Sequence, residues 1–72
     1  MKWNYGDTVQ AALTVGTGKP VLKPCAIVGI TVVENVPQSQ ALGYALGTTH
    51  YTVEFSDGTD ALIPEHALLP LA

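Results

Sequence analysis

Side chains able to do chemistry are few in this chain, and their spacing decides what is open to them. His50 and His66 are the only histidines, and Cys25 is the only cysteine. With nearby carboxylates they supply the donor types of a zinc site. Neither histidine stands at a C-x-x-C or H-x-x-x-H spacing, so both are expected as exposed side chains. Cys25 as a nucleophile would need a base and a lowered pKa. It follows Pro24 at the start of an apolar run and is expected as a small buried hydrophobe. Glu54, Asp57, Asp60 and Glu65 could divide acid and base roles if two of them shared a cleft. Asp57, however, stands in a turn pair and Glu54 on an outward strand face, which favours a turn former and solvated acids. Trp3, Tyr5, Tyr44, Tyr51 and Phe55 are the aromatics from which a cage for a methylated cation could be built. Tyr51 and Phe55 read as core, and Trp3 and Tyr5 as cover for one open end of the fold. Gly16-Thr-Gly-Lys lacks the spacing of a phosphate-binding loop and runs into Pro20 rather than a helix. No catalytic group, metal or cofactor is expected.

The elements that must position these residues are bounded by size. With 72 residues one domain is expected, and a single core of this size is marginal. The apolar fraction of 47% against 12% charged residues excludes disorder and implies exposed apolar surface. One cysteine allows no internal disulfide. The first seven residues hold no apolar stretch of signal-peptide type, and Cys25–Val33 is too short to span a membrane. A soluble, cytoplasmic protein is the expectation. Lys2, Lys19 and Lys23 are the only basic residues, whereas five of the six acids lie from Glu34 onward. A nucleic-acid partner needs cations on the protein, and arginine to read guanine, so nucleic acid is disfavoured. A partner with a basic surface suits this charge distribution.

Period-two alternation predicts a first strand over Thr8–Val15, with Val9, Ala11, Leu13 and Val15 facing in. A loop is expected up to Pro24, because Pro20 and Pro24 break a ladder. Cys25–Val33 reads as a second strand, with Ala26, Val28, Ile30 and Val32 on one face and Cys25, Ile27 and Val33 on the other. Gly29 marks its bend. The connection Glu34–Gly47 suits a short helix capped by Ser39, with Leu42 and Leu46 four apart and Gly47 as terminator. Gly43 would weaken that helix. Thr48–Phe55 and Thr59–Ile63 read as a hairpin around Asp57-Gly58. A two-residue turn pairs Val53 with Leu62 and sends Leu62 inward, and a bulge would shift that register. A single turn from Pro64 and a short edge strand from Leu68 complete an all-β, strongly bent, five-stranded antiparallel barrel, with one short helical turn before the last strand.

Three segments carry a resemblance. Cys25-Ala-Ile-Val-Gly-Ile, then Tyr51-Thr-Val-Glu-Phe-x-Asp-Gly, then Ile63-Pro-Glu-x-x-Leu68 resemble the SH3-like barrels of bacteria, with Leu69 as an extra residue before Pro70. Within that group the chain is similar to short immunity proteins of polymorphic toxin systems, a likeness covering residues 25 to 70. The resemblance implies a stand-alone cytoplasmic barrel that neutralises a cognate toxin by binding it. It carries over no particular binding residues. On charge and apolarity the contact is expected from Leu42, Tyr44 and Leu46 together with Glu54, Asp57, Asp60 and Glu65. The partner is then a protein, such as a basic toxin domain, with neither nucleic acid nor membrane involved. The alternative is a structural or accessory subunit of an oligomer or larger complex, homo-oligomers included. A nucleic-acid or methyl-lysine reader follows only from analogy of fold, and an enzyme is the least favoured reading.

Overall fold

Apolar residues at every second position build five strands, and their pairing rolls them around one core. The computed structural model describes residues 2–14 and 18–71. In order these form β1 (Thr8–Leu13), β2 (Val21–Val32), α1 (Val36–Leu42), β3 (Thr49–Phe55), β4 (Asp60–Pro64), a 3-10 turn (Glu65–Ala67) and β5 (Leu68–Pro70). The strands form one antiparallel sheet in the order β4-β3-β2-β1-β5. Val9, Ala11, Cys25, Ile27, Tyr51, Val53, Phe55, Ile63 and Leu68 form a single buried cluster drawn from all five strands. The architecture is an SH3-like, strongly bent barrel. Among the described residues no helix is long and apolar enough to cross a membrane.

In β1, Val9 and Ala11 are buried and Leu13 packs on the core, as the alternation predicts. Val15, the expected end of that strand, lies outside the described residues, as do Gly16 and Thr17 of the loop that follows.

β2 starts four residues earlier than its apolar run suggests and passes through Pro24. Antiparallel pairing turns the amides of alternate residues toward alternate neighbours. Ile27 gives its amide to the Asp7 carbonyl on the β1 side (2.9 Å). Counting back in twos, Cys25 and Lys23 face the same way, so the nitrogen of Pro24 faces the other side. There the pairing with β3 ends at Cys25–Phe55. Pro24 therefore sits opposite Gln10 in the ladder without removing a bond.

Farther along β2 the register slips between Ile27 and Gly29, leaving Val28 unpaired. This bulge reverses the facing of the residues beyond it. Ile30 comes opposite Tyr51 and packs on the core with Ile27 rather than lying with Ala26 and Val28. Gly29 is required by close approach, since a Cβ there would stand 3.1 Å from the Cβ of Thr52.

The β3–β4 turn holds three residues, not two. Phe55 receives the Gly58 amide at its carbonyl (3.0 Å) and gives its own amide to the Thr59 carbonyl (2.8 Å). Gly58 lies at φ 85°, the left-handed position of a type I turn followed by a bulge. The added residue shifts the register by one, so Val53 faces Ala61 and Tyr51 faces Ile63. Ile63, not Leu62, fills the core.

α1 begins before Ser39. The Asn35 side chain accepts the Gln38 amide (2.9 Å), and Pro37 fits the first turn, where a missing amide loses nothing. Gly43, at φ 74°, ends the helix instead of weakening it, donating its amide to the Ser39 carbonyl. Leu46 thus falls beyond the helix and does not share a face with Leu42.

The buried Tyr51 hydroxyl ties the chain start to the last turn. It accepts the amides of Lys2 (3.1 Å) and Trp3 (3.2 Å) and donates to Glu65 Oε2 (2.6 Å). Trp3 packs on the core, whereas Tyr5 is 67% exposed and covers nothing.

Candidate functional site

The excursion between β2 and β3 leaves and returns at one point. Val33 donates its amide to Thr48 (3.0 Å), and Gly47 donates its amide to Val33 (2.8 Å). Inside this closed base, α1 and the segment after it are held by polar contacts. The Ser39 hydroxyl donates to the Tyr44 carbonyl, and the Thr48 hydroxyl donates to the Ala45 carbonyl (2.6 Å). The Tyr44 ring then lies flat on His50, with centroids 3.8 Å apart and planes 18° from parallel.

That stack overturns the expectation of an exposed His50. The residue is 3% exposed although it points to the outer side of β3, because Tyr44 folds over it. Thr48 Oγ1 is 2.8 Å from His50 Nε2. The one proton of that hydroxyl is already given to Ala45, so Nε2–H donates to Thr48. Nδ1 is then an unprotonated acceptor, and it is buried without a partner. Burial, reinforced by the nearby His66, depresses the His50 pKa and keeps the ring neutral. Leaving such an acceptor unpaired costs about 1–3 kcal/mol.

Beside this stack lies a cleft of ≈ 570 Å³. Gly43, Tyr44 and Thr48–His50 form one wall, and Pro64–His66 the other. Glu65 contributes a carboxylate whose pKa is lowered by the Tyr51 hydroxyl and then by the Lys2 amide. Both donors meet Oε2, leaving Oε1 without a partner among the described residues.

The seven residues expected to form a contact surface are not brought together. Leu42 and Leu46 are exposed, and Tyr44 is half-buried beside the cleft. Of the four acids only Glu65 joins them. Glu54 and Asp60 face each other across β3 and β4 toward the opposite end of β3, about 13 Å from His50 at ~3.3 Å per residue. Asp57, at the hairpin tip, accepts from the Thr59 amide (3.0 Å) and hydroxyl (2.6 Å) and pairs with Lys23 at 3.4 Å. Those contacts, Thr59 foremost, take its pKa down to about 2.

The described residues contain no group of three or more His, Cys, Asp or Glu placed to hold a metal ion. Cys25 is buried, and burial raises its pKa, opposite to what a nucleophile needs. The sequence reading missed His50, Thr48 and His66 as neighbours of Tyr44. Their proximity depends on the return of the excursion and on the pairing of His50 with Pro64, for which no local spacing gives a signal. Comparison with family models, curated proteins and solved structures found no match to this chain.

Proposed function

We propose that this chain is a non-catalytic protein-binding module, and within that reading an immunity protein that neutralises a cognate bacterial toxin by direct binding. One observation carries the proposal. Val36, Leu42 and Leu46 are 57%, 39% and 56% exposed on an excursion that is nevertheless capped at Asn35 and Gly43, closed at Val33–Thr48 and pinned by the Tyr44–His50 stack. Apolar side chains exposed on a pre-ordered frame lose little entropy on binding, which is how small interfaces gain affinity. The net charge of −3 adds attraction for a basic partner.

The test uses the polypeptide encoded beside this chain. Purified together, the two should co-elute at near-equal stoichiometry. Leu46→Asp should abolish the complex, and Leu69→Asp should leave it intact. Absence of a complex with the natural chain rejects the immunity reading, and indifference to Leu46→Asp rejects this surface.

A second reading, a subunit of an oligomer, has its own observation. Leu22, Ala12, Pro24, Gln10 and Leu69 share the outer face of β1, β2 and β5, with Leu22 and Leu69 49% and 40% exposed. Light scattering separates the two. A concentration-independent oligomer dissolved by Leu22→Asp favours the subunit reading, and a monomer favours the inhibitor.

A further inference from the structure

We infer that the cleft beside Tyr44 is an anchor site for an arginine side chain of a protein partner. The inference rests on the protein-binding reading and gives it a specific recognition element.

The polar groups of the cleft ask for donors. Glu65 is an ionised carboxylate with Oε1 unengaged by the described residues. His50 lines the cleft with its Nδ1 buried out of reach of it. The Thr48 hydroxyl has spent its proton on Ala45. No lysine or arginine lines the cleft. The N-terminus and Lys2 offset part of the Glu65 charge, and the side-chain oxygens of the cleft, at Glu65 and Thr48, act as acceptors.

The shape narrows the occupant. One wall is an aromatic ring already stacked flat on an imidazole, so a second planar group can continue the stack. A guanidinium is planar, permanently charged and rich in donors. It stacks on aromatic faces and forks onto carboxylates. An ammonium offers a point charge with stronger hydration and no plane. The volume of ≈ 570 Å³ accommodates one long side chain and not a folded element.

The cleft adjoins the exposed Leu42 and Leu46, so an arginine seated in it lies beside apolar contacts from the same partner. This gives the interface a buried cation at one point and aliphatic cover around it, the arrangement that concentrates binding energy. At the other end of β3 the ring beside the carboxylates, Phe55, is already covered by Lys23 at 4.6 Å, so arginine and lysine should be treated there alike.

The experiment titrates the ¹⁵N-labelled chain with acetyl-Gly-Arg-Gly-amide, and separately with its lysine and citrulline counterparts. The arginine peptide should saturate with a dissociation constant on the order of a millimolar. Its shifts should fall on the amides of Gly43, Gly47, Thr49 and His66. Lysine should bind roughly 10-fold more weakly, and citrulline, isosteric but neutral, should not bind. Glu65→Gln keeps an oxygen acceptor for Tyr51 and Lys2, and Tyr44→Leu keeps an apolar cover over His50. Each should weaken the arginine peptide by roughly 10-fold while amide shifts of β1 and β2 stay in place. The inference is overturned if arginine and lysine bind equally, if the shifts gather at Asp57 and Asp60, if both variants bind as the natural chain does, or if no peptide binds. Should the peptide fail while Leu46→Asp still abolishes the complex with the neighbouring polypeptide, the anchor falls and the protein-binding reading stands.

Discussion

The two ends of β3 solve the problem of leaving a sheet in opposite ways. At Phe55 the chain turns back within three residues, and its polar contacts are local apart from the exposed Asp57–Lys23 pair. Asp57 serves Thr59, Phe55 bonds Thr59 and Gly58, and all of it faces solvent. At Thr49 the chain arrives from a long excursion, and its polar groups meet partners distant in sequence. Tyr44 covers His50, and Glu65 reaches Tyr51 and Lys2. The acid-rich end has committed its central carboxylate to building a turn. The other end holds fewer charges but leaves a carboxylate oxygen and an imidazole lone pair unmatched. On the proposed reading, capacity to bind follows unmatched groups rather than the count of charges.

Breaking the register is the severest test of this contrast. Ile63→Ala should cost about 2–4 kcal/mol in urea unfolding, and Leu62→Ala under about 1 kcal/mol. The reverse order would restore a two-residue turn and put the acids on other faces. Next, Tyr51→Phe removes the hydroxyl shared by Lys2, Trp3 and Glu65. It should cost about 2 kcal/mol and speed hydrogen exchange at the Trp3 amide. Loss of stability without faster exchange there would detach the chain start from this network. Thr48→Val should cost about 1–2 kcal/mol, since His50 Nε2–H loses its partner and the Ala45 carbonyl keeps only the Thr48 amide at 3.3 Å. Exchange at Gly47 should accelerate while that at Gly58 is unchanged.

Acid should separate the ends too. The His50 pKa is depressed in the fold, so the unfolded chain takes up this proton first. Stability from neutral His50 is fully present above about pH 6.5 and is lost as pH falls from there through the folded value. The Glu65 pKa is also depressed, and its contribution is lost at lower pH, below the ordinary carboxylate value of 4.5. His50→Gln should remove the first of these declines and keep the second. The smallest effect belongs to the hairpin tip. Lys23→Met breaks an exposed pair with Asp57 and should shift the urea midpoint by no resolvable amount, in low or high salt. A clear salt-dependent loss would show that the tip matters to the fold beyond its turn.

How far these features were legible depends on their range. The alternation of Val9 and Ala11, the burial of Cys25 and the presence of a turn at Asp57-Gly58 are local and read directly from sequence. The face taken by Ile63 hinged on whether Gly58 fills the last place of a three-residue loop, a difference of one residue that Asp-Gly alone does not decide. Pro24 looked like a breaker because its unoccupied side depends on where β3 ends. Ile30 changed face through a bulge whose position depends on Thr52. His50 was read as exposed because nothing near it in sequence announces that Tyr44 folds back over it. The candidate contact residues were therefore divided, with Leu42, Tyr44, Leu46 and Glu65 near one end of β3 and Glu54, Asp57 and Asp60 at the other.

The tether between Tyr51, Glu65 and the amides of Lys2 and Trp3 has a consequence for biosynthesis. β1 is flanked by β2 and β5, and residues made before β1 are fastened by one made after β4, with Lys2 and Glu65 63 positions apart. A ribosome still holding the final segment withholds both β5 and the carboxylate that secures the beginning. The nascent chain thus acquires its native shape only once Glu65 and β5 have emerged, and holding that segment inside the exit tunnel should leave the emerged portion open to protease.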